Sequence, residues 1–140
     1  MITVKVKALV RMVYELGQHT FYTGVPDSLL SPFIRELDEQ NWWPPIIHIP
    51  AVHESQALGI AVGAELAGQK SVVYLQNSGL GNLINPITSL CIPYQIYPLL
   101  LIGHRHSLPQ HKVMGEIDRK MLELTGYENY LFVEGDNNAN

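Results

Sequence analysis

The chain has 140 residues, 46% of them hydrophobic and 16% charged, with nine Lys and Arg against thirteen Asp and Glu. That length suits one domain, the apolar share supports a packed core and excludes a disordered chain, and the formal charge of −4 argues against nucleic acid, whose phosphates call for a basic face. A single cysteine, Cys91, excludes an intrachain disulfide, no secretory signal is read at the start, and no apolar run approaches the ~20 residues of a membrane helix, so a cytoplasmic protein is expected.

Val4 to Leu16 carries Val6, Leu9, Val10, Val13 and Leu16 at helical spacing, with Gly17 just past its end. Thr20 to Val25 is a short β-rich run closed by Pro26, and Asp27 or Ser28 is expected to cap a helix reaching about Asp38. Ile46 to Ile49 reads as a buried strand after the stiff connector Trp42 to Pro45. His53 to Ala67, rich in Ala and Gly, reads as a buried helix able to approach a sheet closely. Ser71 to Leu75 is the next strand, Gln76 to Gly79 a turn, and Leu80 to Leu90 a helix with Pro86 as an awkward guest. Pro98 to Ile102 is a strand of nearly pure Leu and Ile. His104 to Lys112 reads as a polar loop, Gly115 to Thr125 as an amphipathic helix using Ile117, Met121, Leu122 and Leu124, and Leu131 to Val133 as a last strand. Residues 1–133 form the expected domain and 134–140 a polar tail.

Strands alternate with helices, and several strands are apolar throughout. The pattern predicts an α/β fold, a doubly wound parallel sheet with helices on both faces. Ligands of such sheets sit beyond the carboxyl ends of the strands. Four loops are thereby selected: Gly24 to Ser28, Pro50 to Ser55, Gln76 to Asn82, and Gly103 to Lys112.

Each has a bland reading beside a functional one. Asp27 and Ser28 are favoured helix caps, but the turn also brings backbone N–H groups and a carboxylate towards a ligand. Glu54 in a first helical turn complements the helix dipole, yet a carboxylate opening so apolar a helix is expected to be largely desolvated, a condition acid–base chemistry uses. Gln76-Asn77-Ser78-Gly79-Leu80-Gly81-Asn82 holds more polar side chains than a turn requires. Its Gly-x-Gly lacks the third glycine of a dinucleotide fingerprint, position 84 being Ile84, and no Gly-Lys-Ser/Thr follows for a phosphate loop. Arg105, Lys112, His104, His106 and His111 make the last loop a candidate for anions; a zinc site and a solvated loop remain the alternatives. From Gly79 to Gly103 there is no Lys, Arg, Asp or Glu, which marks either core or a surface covered by another molecule.

Thr23-Gly24-Val25-Pro26-Asp27-Ser28-Leu29-Leu30, the strand-end Glu54, Tyr74-Leu75-Gln76-Asn77-Ser78-Gly79-Leu80-Gly81-Asn82 and Pro109-Gln110-His111 together resemble phosphonopyruvate decarboxylase and its relative, the α subunit of sulfopyruvate decarboxylase. The resemblance runs from about Val4 to Tyr130. It implies a thiamine-diphosphate-binding fold of the pyrimidine-binding type, Glu54 as the residue that hydrogen-bonds the pyrimidine nitrogen N1′, and Gly24, Val25, Pro26, Gln76, Asn77, Ser78 and Gly79 as further cofactor contacts. Asp27, Ser28, His53, Asn77, Arg105, His111 and Lys112 are implied around the substrate, with no metal ligand in this chain.

In the families resembled, a second domain holds the diphosphate through Mg²⁺ with a Gly-Asp-Gly motif that this sequence lacks; Gly135-Asp136-Asn137 is only an echo. The resemblance therefore implies a split enzyme, whose α subunit works with a diphosphate-binding β subunit in a hetero-oligomer. The expected reaction is decarboxylation of 3-phosphonopyruvate to phosphonoacetaldehyde, with 3-sulfopyruvate as the rival substrate. A non-catalytic regulatory subunit is the competing class, and such a subunit would have no need to retain Glu54.

Overall fold

In a computed structural model of the chain, residues 9–39 and 42–134 are described. Helix α1 (Leu9–Gly17) precedes β1 (Phe21–Gly24), α2 (Ser31–Asp38), β2 (Ile47–Pro50), α3 (Glu54–Leu66) and β3 (Ser71–Gln76). A 3-10 segment, Asn77–Leu83, then runs on through α4 (Ile84–Pro86), a π turn (Ile87–Cys91) and α5 (Ile92–Tyr94). Strand β4 (Leu99–His104), α6 (Pro109–Thr125) and β5 (Tyr130–Glu134) complete the order.

The five strands form one wholly parallel sheet in the order β2-β1-β3-β4-β5. This is the expected doubly wound architecture. Successive side chains of a strand point to opposite faces, and the core divides accordingly. One layer packs Val73, Leu75, Leu100 and Ile102 of the sheet under α3, the Asn77–Tyr94 stretch and Leu122 of α6. The other packs Tyr22, Val72, Tyr74, Leu99 and Leu101 under α1 and Phe33 of α2. Strands buried on both sides must be apolar at every position, which is why β3 and β4 carry no alternation.

Several local expectations change. The start of the first helix at Val4 lies outside the described residues. Helix α2 begins at Ser31, after Leu30 and without a side-chain cap; Asp27 instead accepts the Leu29 N–H at 2.9 Å inside the preceding turn. Strand β2 is an edge strand and mostly exposed, not buried, so Ile47 and Ile49 show 47% and 43% of their surface. Helix α6 begins at Pro109, six residues before the expected Gly115, because Pro at a first helical position costs no hydrogen bond. Gln110, His111 and Lys112 therefore lie on a helix. Its buried residues are Asp118 and Leu122, while Leu124 is 89% exposed and Ile117 37%. Glu134 closes β5 and is not part of the tail, whose residues 135–140 lie outside the described part. Among the described residues no helix is long and apolar enough to cross a membrane.

Two contacts set the first ligand loop. A Cβ at Gly24 would stand 2.0 Å from the Tyr74 carbonyl oxygen and 2.5 Å from the Tyr74 ring, so only glycine lets β1 and β3 approach this closely. The Tyr74 carbonyl then accepts the Val25 N–H at 3.1 Å. Burial pushes the Tyr74 phenol well above its ordinary pKa, so it stays protonated and donates to His48 Nε2 at 2.8 Å. The opposite ring nitrogen, Nδ1–H, donates to Asp38 at 2.7 Å, and the pair fastens the edge strand to the sheet.

Gly24→Ala is expected to destabilise the chain by about 1–3 kcal/mol or more, since backbone rather than a flexible side chain must give way; chemical denaturation followed by circular dichroism measures it. The Cys91 thiol, pushed up to about 11 by burial, should resist alkylation at pH 8 in the folded chain and react fully in denaturant. Because the unfolded thiol ionises first, stability should fall as pH rises from about 9 towards 11.

Candidate active site

The register aligns Gly24 with Pro50 on one side and with Tyr74 on the other, and Gln76 with Gly103. All four loops selected from the sequence therefore leave the sheet along one edge. They contribute to two clusters.

The first surrounds Glu54, the opening residue of α3. His53 caps this helix, its Nδ1 accepting the Ser55 N–H at 3.2 Å. Glu54 is half-buried rather than enclosed. Its Oε2 accepts from the Asn82 amide at 2.8 Å, and Ser55 Oγ donates to the Asn82 carbonyl at 2.5 Å. The carboxylate lies flat on Gly79, where a Cβ would come within 2.5 Å of Oε1 and 2.6 Å of Cγ. Any side chain at this position would displace the Glu54 carboxylate from where it lies. Ser78 and Gly81 are exposed beside it, and a Cβ at Gly81 would meet nothing within 4 Å.

The second cluster ties the first loop to the last. Arg105 donates from Nε and Nη2 to Asp27 Oδ1 at 3.2 and 3.0 Å, and from Nη2 also to the Ser28 hydroxyl. The Asp27 side chain keeps 6% of its surface and that of Arg105 23%. A largely desolvated ion pair with several hydrogen bonds is far better fixed than a surface one. Gly103 lies beside this pair, where a Cβ would make ordinary contact with Asp27 Oδ2 at 3.4 Å. Asn77, fully buried, donates to the Arg105 carbonyl at 2.9 Å. Gln76 reaches His111 Nδ1 at 3.4 Å, a long contact.

The structure thus brings together Glu54, Gly79 and Asn82, and separately Asp27, Ser28, Asn77 and Arg105, with Gln76 and His111 at the margin. Val25 and Pro26 line the turn into Asp27. Lys112 is exposed on the first turn of α6. The three histidines do not converge: His104 bonds Asp118 at 2.7 Å, His106 stacks on His104 with centroids 4.8 Å apart, and His111 meets Gln76. Among the described residues no group of three His, Cys, Asp or Glu side chains is arranged to hold a metal. Arg105, expected to face a substrate's anionic group, spends two of its nitrogens on Asp27 and Ser28. Sequence reasoning missed Asp118, whose one signal was an acid on the Leu122 side of an amphipathic helix.

No family model matches the chain. Among curated proteins, it is 40% identical over 114 residues to the sulfopyruvate decarboxylase subunit alpha of Methanocaldococcus jannaschii, covering 79% of this chain and 66% of that one. The subunit alpha of Methanococcus maripaludis is 39% identical over 108 residues, covering 74% and 62%. The phosphonopyruvate decarboxylase of Streptomyces viridochromogenes is 35% identical over 114 residues, 78% of this chain but 28% of that protein. The chain therefore spans just under two thirds of these alpha subunits and about a quarter of the phosphonopyruvate enzyme.

Gly79→Ala should cost about 1–3 kcal/mol by driving its methyl into the Glu54 carboxylate. Removing that carboxylate as well, in Gly79→Ala with Glu54→Ala, should restore most of the loss. A double-mutant cycle on denaturation free energies measures the coupling, and additive effects would show that the two residues do not touch.

Proposed function

We propose that this chain, a homologue of the sulfopyruvate decarboxylase alpha subunits and phosphonopyruvate decarboxylases, is the pyrimidine-binding half of a thiamine-diphosphate-dependent 2-oxoacid decarboxylase. The observation that carries the reading is the seat of Glu54. A carboxylate held by one amide at the mouth of a parallel sheet, lying on a glycine with no side chain in the way, suits a flat heteroaromatic ring that shares a proton with it. The donor set thus fits the cofactor's aminopyrimidine.

Thiamine diphosphate, when bound, supplies an electron sink for the pair released as CO₂ leaves. The protein's part is positional and acid–base. Glu54 would hold or give the proton at a ring nitrogen, with Asn82 fixing the carboxylate's orientation through Oε2 and leaving Oε1 towards Gly79. Gly24, Val25 and Pro26 would present bare backbone to the cofactor, as would the Gln76–Gly79 turn. Asp27, Ser28 and Arg105 would border the substrate. Arg105 spends Nε and Nη2 on the protein, so Nη1 is the donor it would offer an anionic head group, with His111 and Lys112 beside it on α6.

The diphosphate and its Mg²⁺ would be held by a second, β-type subunit. Two features support a partner: the relatives' own designation as alpha subunits, and the exposed, uncharged residues Gly59 and Gly63 of α3 and Gly81, Asn85 and Thr88 of the following helical stretch. Depletion of charge is what marks the buried centre of an interface. The relatives' names point to a three-carbon 2-oxoacid bearing a tetrahedral anion, phosphonate or sulfonate. With Arg105 already paired, the cationic loop no longer favours the dianion over the monoanion.

In the assembled enzyme, Glu54→Gln should slow exchange of the cofactor's C2 proton by about 10²–10⁴-fold with folding unchanged; nuclear magnetic resonance of quenched samples reads the rate, and wild-type exchange would remove Glu54 from the reaction. The same assembly, assayed with 3-phosphonopyruvate, 3-sulfopyruvate and pyruvate, should prefer an anionic acid. Arg105→Ala should reduce kcat/KM for that acid by about 10²-fold or more while leaving pyruvate nearly unaffected.

A further inference from the structure

Among the described residues, Asp118 is the one charged side chain that is completely buried. It sits on α6, outside the loops that form the cleft, one turn before Leu122. Desolvating a carboxylate is unfavourable unless hydrogen bonds replace water. Three do so here. The Arg119 backbone N–H donates to Oδ1 at 2.7 Å, while His104 Nδ1 and Asn77 Nδ2 donate to Oδ2 at 2.7 and 2.9 Å.

The Asn77 amide is saturated by this arrangement. Its Nδ2 donates to both Asp118 and the Arg105 carbonyl, and its Oδ1 accepts the Arg105 N–H at 3.3 Å. A carboxylate only accepts, so Asp118 forces the NH₂ end of Asn77 towards itself and the oxygen towards the Arg105 N–H. Turned the other way, the amide would set oxygen against a buried carboxylate. Arg105 in turn forks onto Asp27 Oδ1 and Ser28. Hydrogen bonds therefore run without a break from Asp118 through Asn77 and Arg105 to Asp27, from the buried side of α6 to the first strand-end loop.

We propose that Asp118 is a positioning residue: by keying the orientation of the Asn77 amide it fixes the Arg105 backbone and the stance of its guanidinium, and so sets the site's selection for oxoacids with an anionic head. The selection half of this rests on the decarboxylase reading; the positioning half does not. An uncharged amide at 118 cannot take over. Whichever way it turns, its NH₂ faces either the Arg119 N–H or the donors of Asn77 and His104. A mere tether between α6 and the sheet would need no such one-way key, and its loss would weaken every substrate alike.

The positioning half is read on the whole chain from the Nε–H resonance of Arg105, identified by its disappearance in Arg105→Lys. In Asp118→Asn its exchange with water should accelerate about tenfold, the scale of one lost hydrogen bond to a charged group. In the assembly with the partner subunit, the KM for the anionic oxoacid should rise about tenfold or more, with kcat and the pyruvate parameters within about twofold. A folded Asp118→Asn chain with unchanged Arg105 exchange overturns the proposal, as does an equal loss on anionic acid and pyruvate. If Asp118→Asn and Asp118→Ser both fail to fold, the carboxylate serves the fold and the proposal is lost. A wild-type assembly that turns over no oxoacid would sink the decarboxylase reading, while the exchange measurement still decides the positioning role.

Discussion

The candidate site depends on how closely β1 and β3 can lie side by side at their carboxyl ends. A parallel pair shares slanted hydrogen bonds, and the last of them here, from Val25 to the Tyr74 carbonyl, forms only because position 24 has no side chain. That single approach fixes where the turn into Asp27 begins and where the Gln76–Gly79 turn leaves. Gly24 and Gly79 thus act as absences of bulk, one opposite the Tyr74 carbonyl and the other against the Glu54 carboxylate.

The charge of the site is organised by the same economy. Asp27 and Arg105 neutralise each other across loops separated by 78 residues, and Asp118 gathers donors from the 3-10 segment after β3, from β4 and from its own helix. Glu54 stands apart, half-buried, with one amide bond from Asn82. A carboxylate with spare acceptor capacity and partial exposure differs from one that is ion-paired and enclosed, and only the former has room for a further hydrogen-bond donor. The contrast between Glu54 and Asp118 is one of environment, since both are acids on helices.

Much of this was legible in the sequence. Unbroken apolar runs in β3 and β4 announced a sheet covered on both faces, and the strand-end rule selected the four loops that carry Asp27, Glu54, Asn82 and Arg105. What the sequence did not show follows from the limits of local pattern. The β2 run Ile46 to Ile49 looks as apolar as a central strand, and only the strand order reveals that it lies at the edge. Pro109 reads as a loop residue until the helix behind it is seen to start there. The partners of Arg105 were hidden because an arginine near histidines suggests an anion, whereas its mate lies far along the chain. Asp118 was hidden for a related reason: an acid on a helix is usually solvated, and nothing nearby in sequence tells that Asn77 and His104 arrive to meet it.

The edge position of β2 has a consequence for motion. Its four residues pair on one side only, with β1, and three of them are largely solvent-exposed. Such a strand belongs to the part of a fold that opens first in native-state fluctuations, well below the free energy of global unfolding. It is also the strand that delivers the chain to Glu54 only four residues later. The His48 ring, joined to Asp38 on one side and to the buried Tyr74 on the other, is what holds this strand shut. Breathing of the sheet at that margin would therefore reach Glu54 before it reached the Asp27–Arg105 pair, so the Glu54 cluster sits on the looser ground and the Asp27–Arg105 cluster on the firmer.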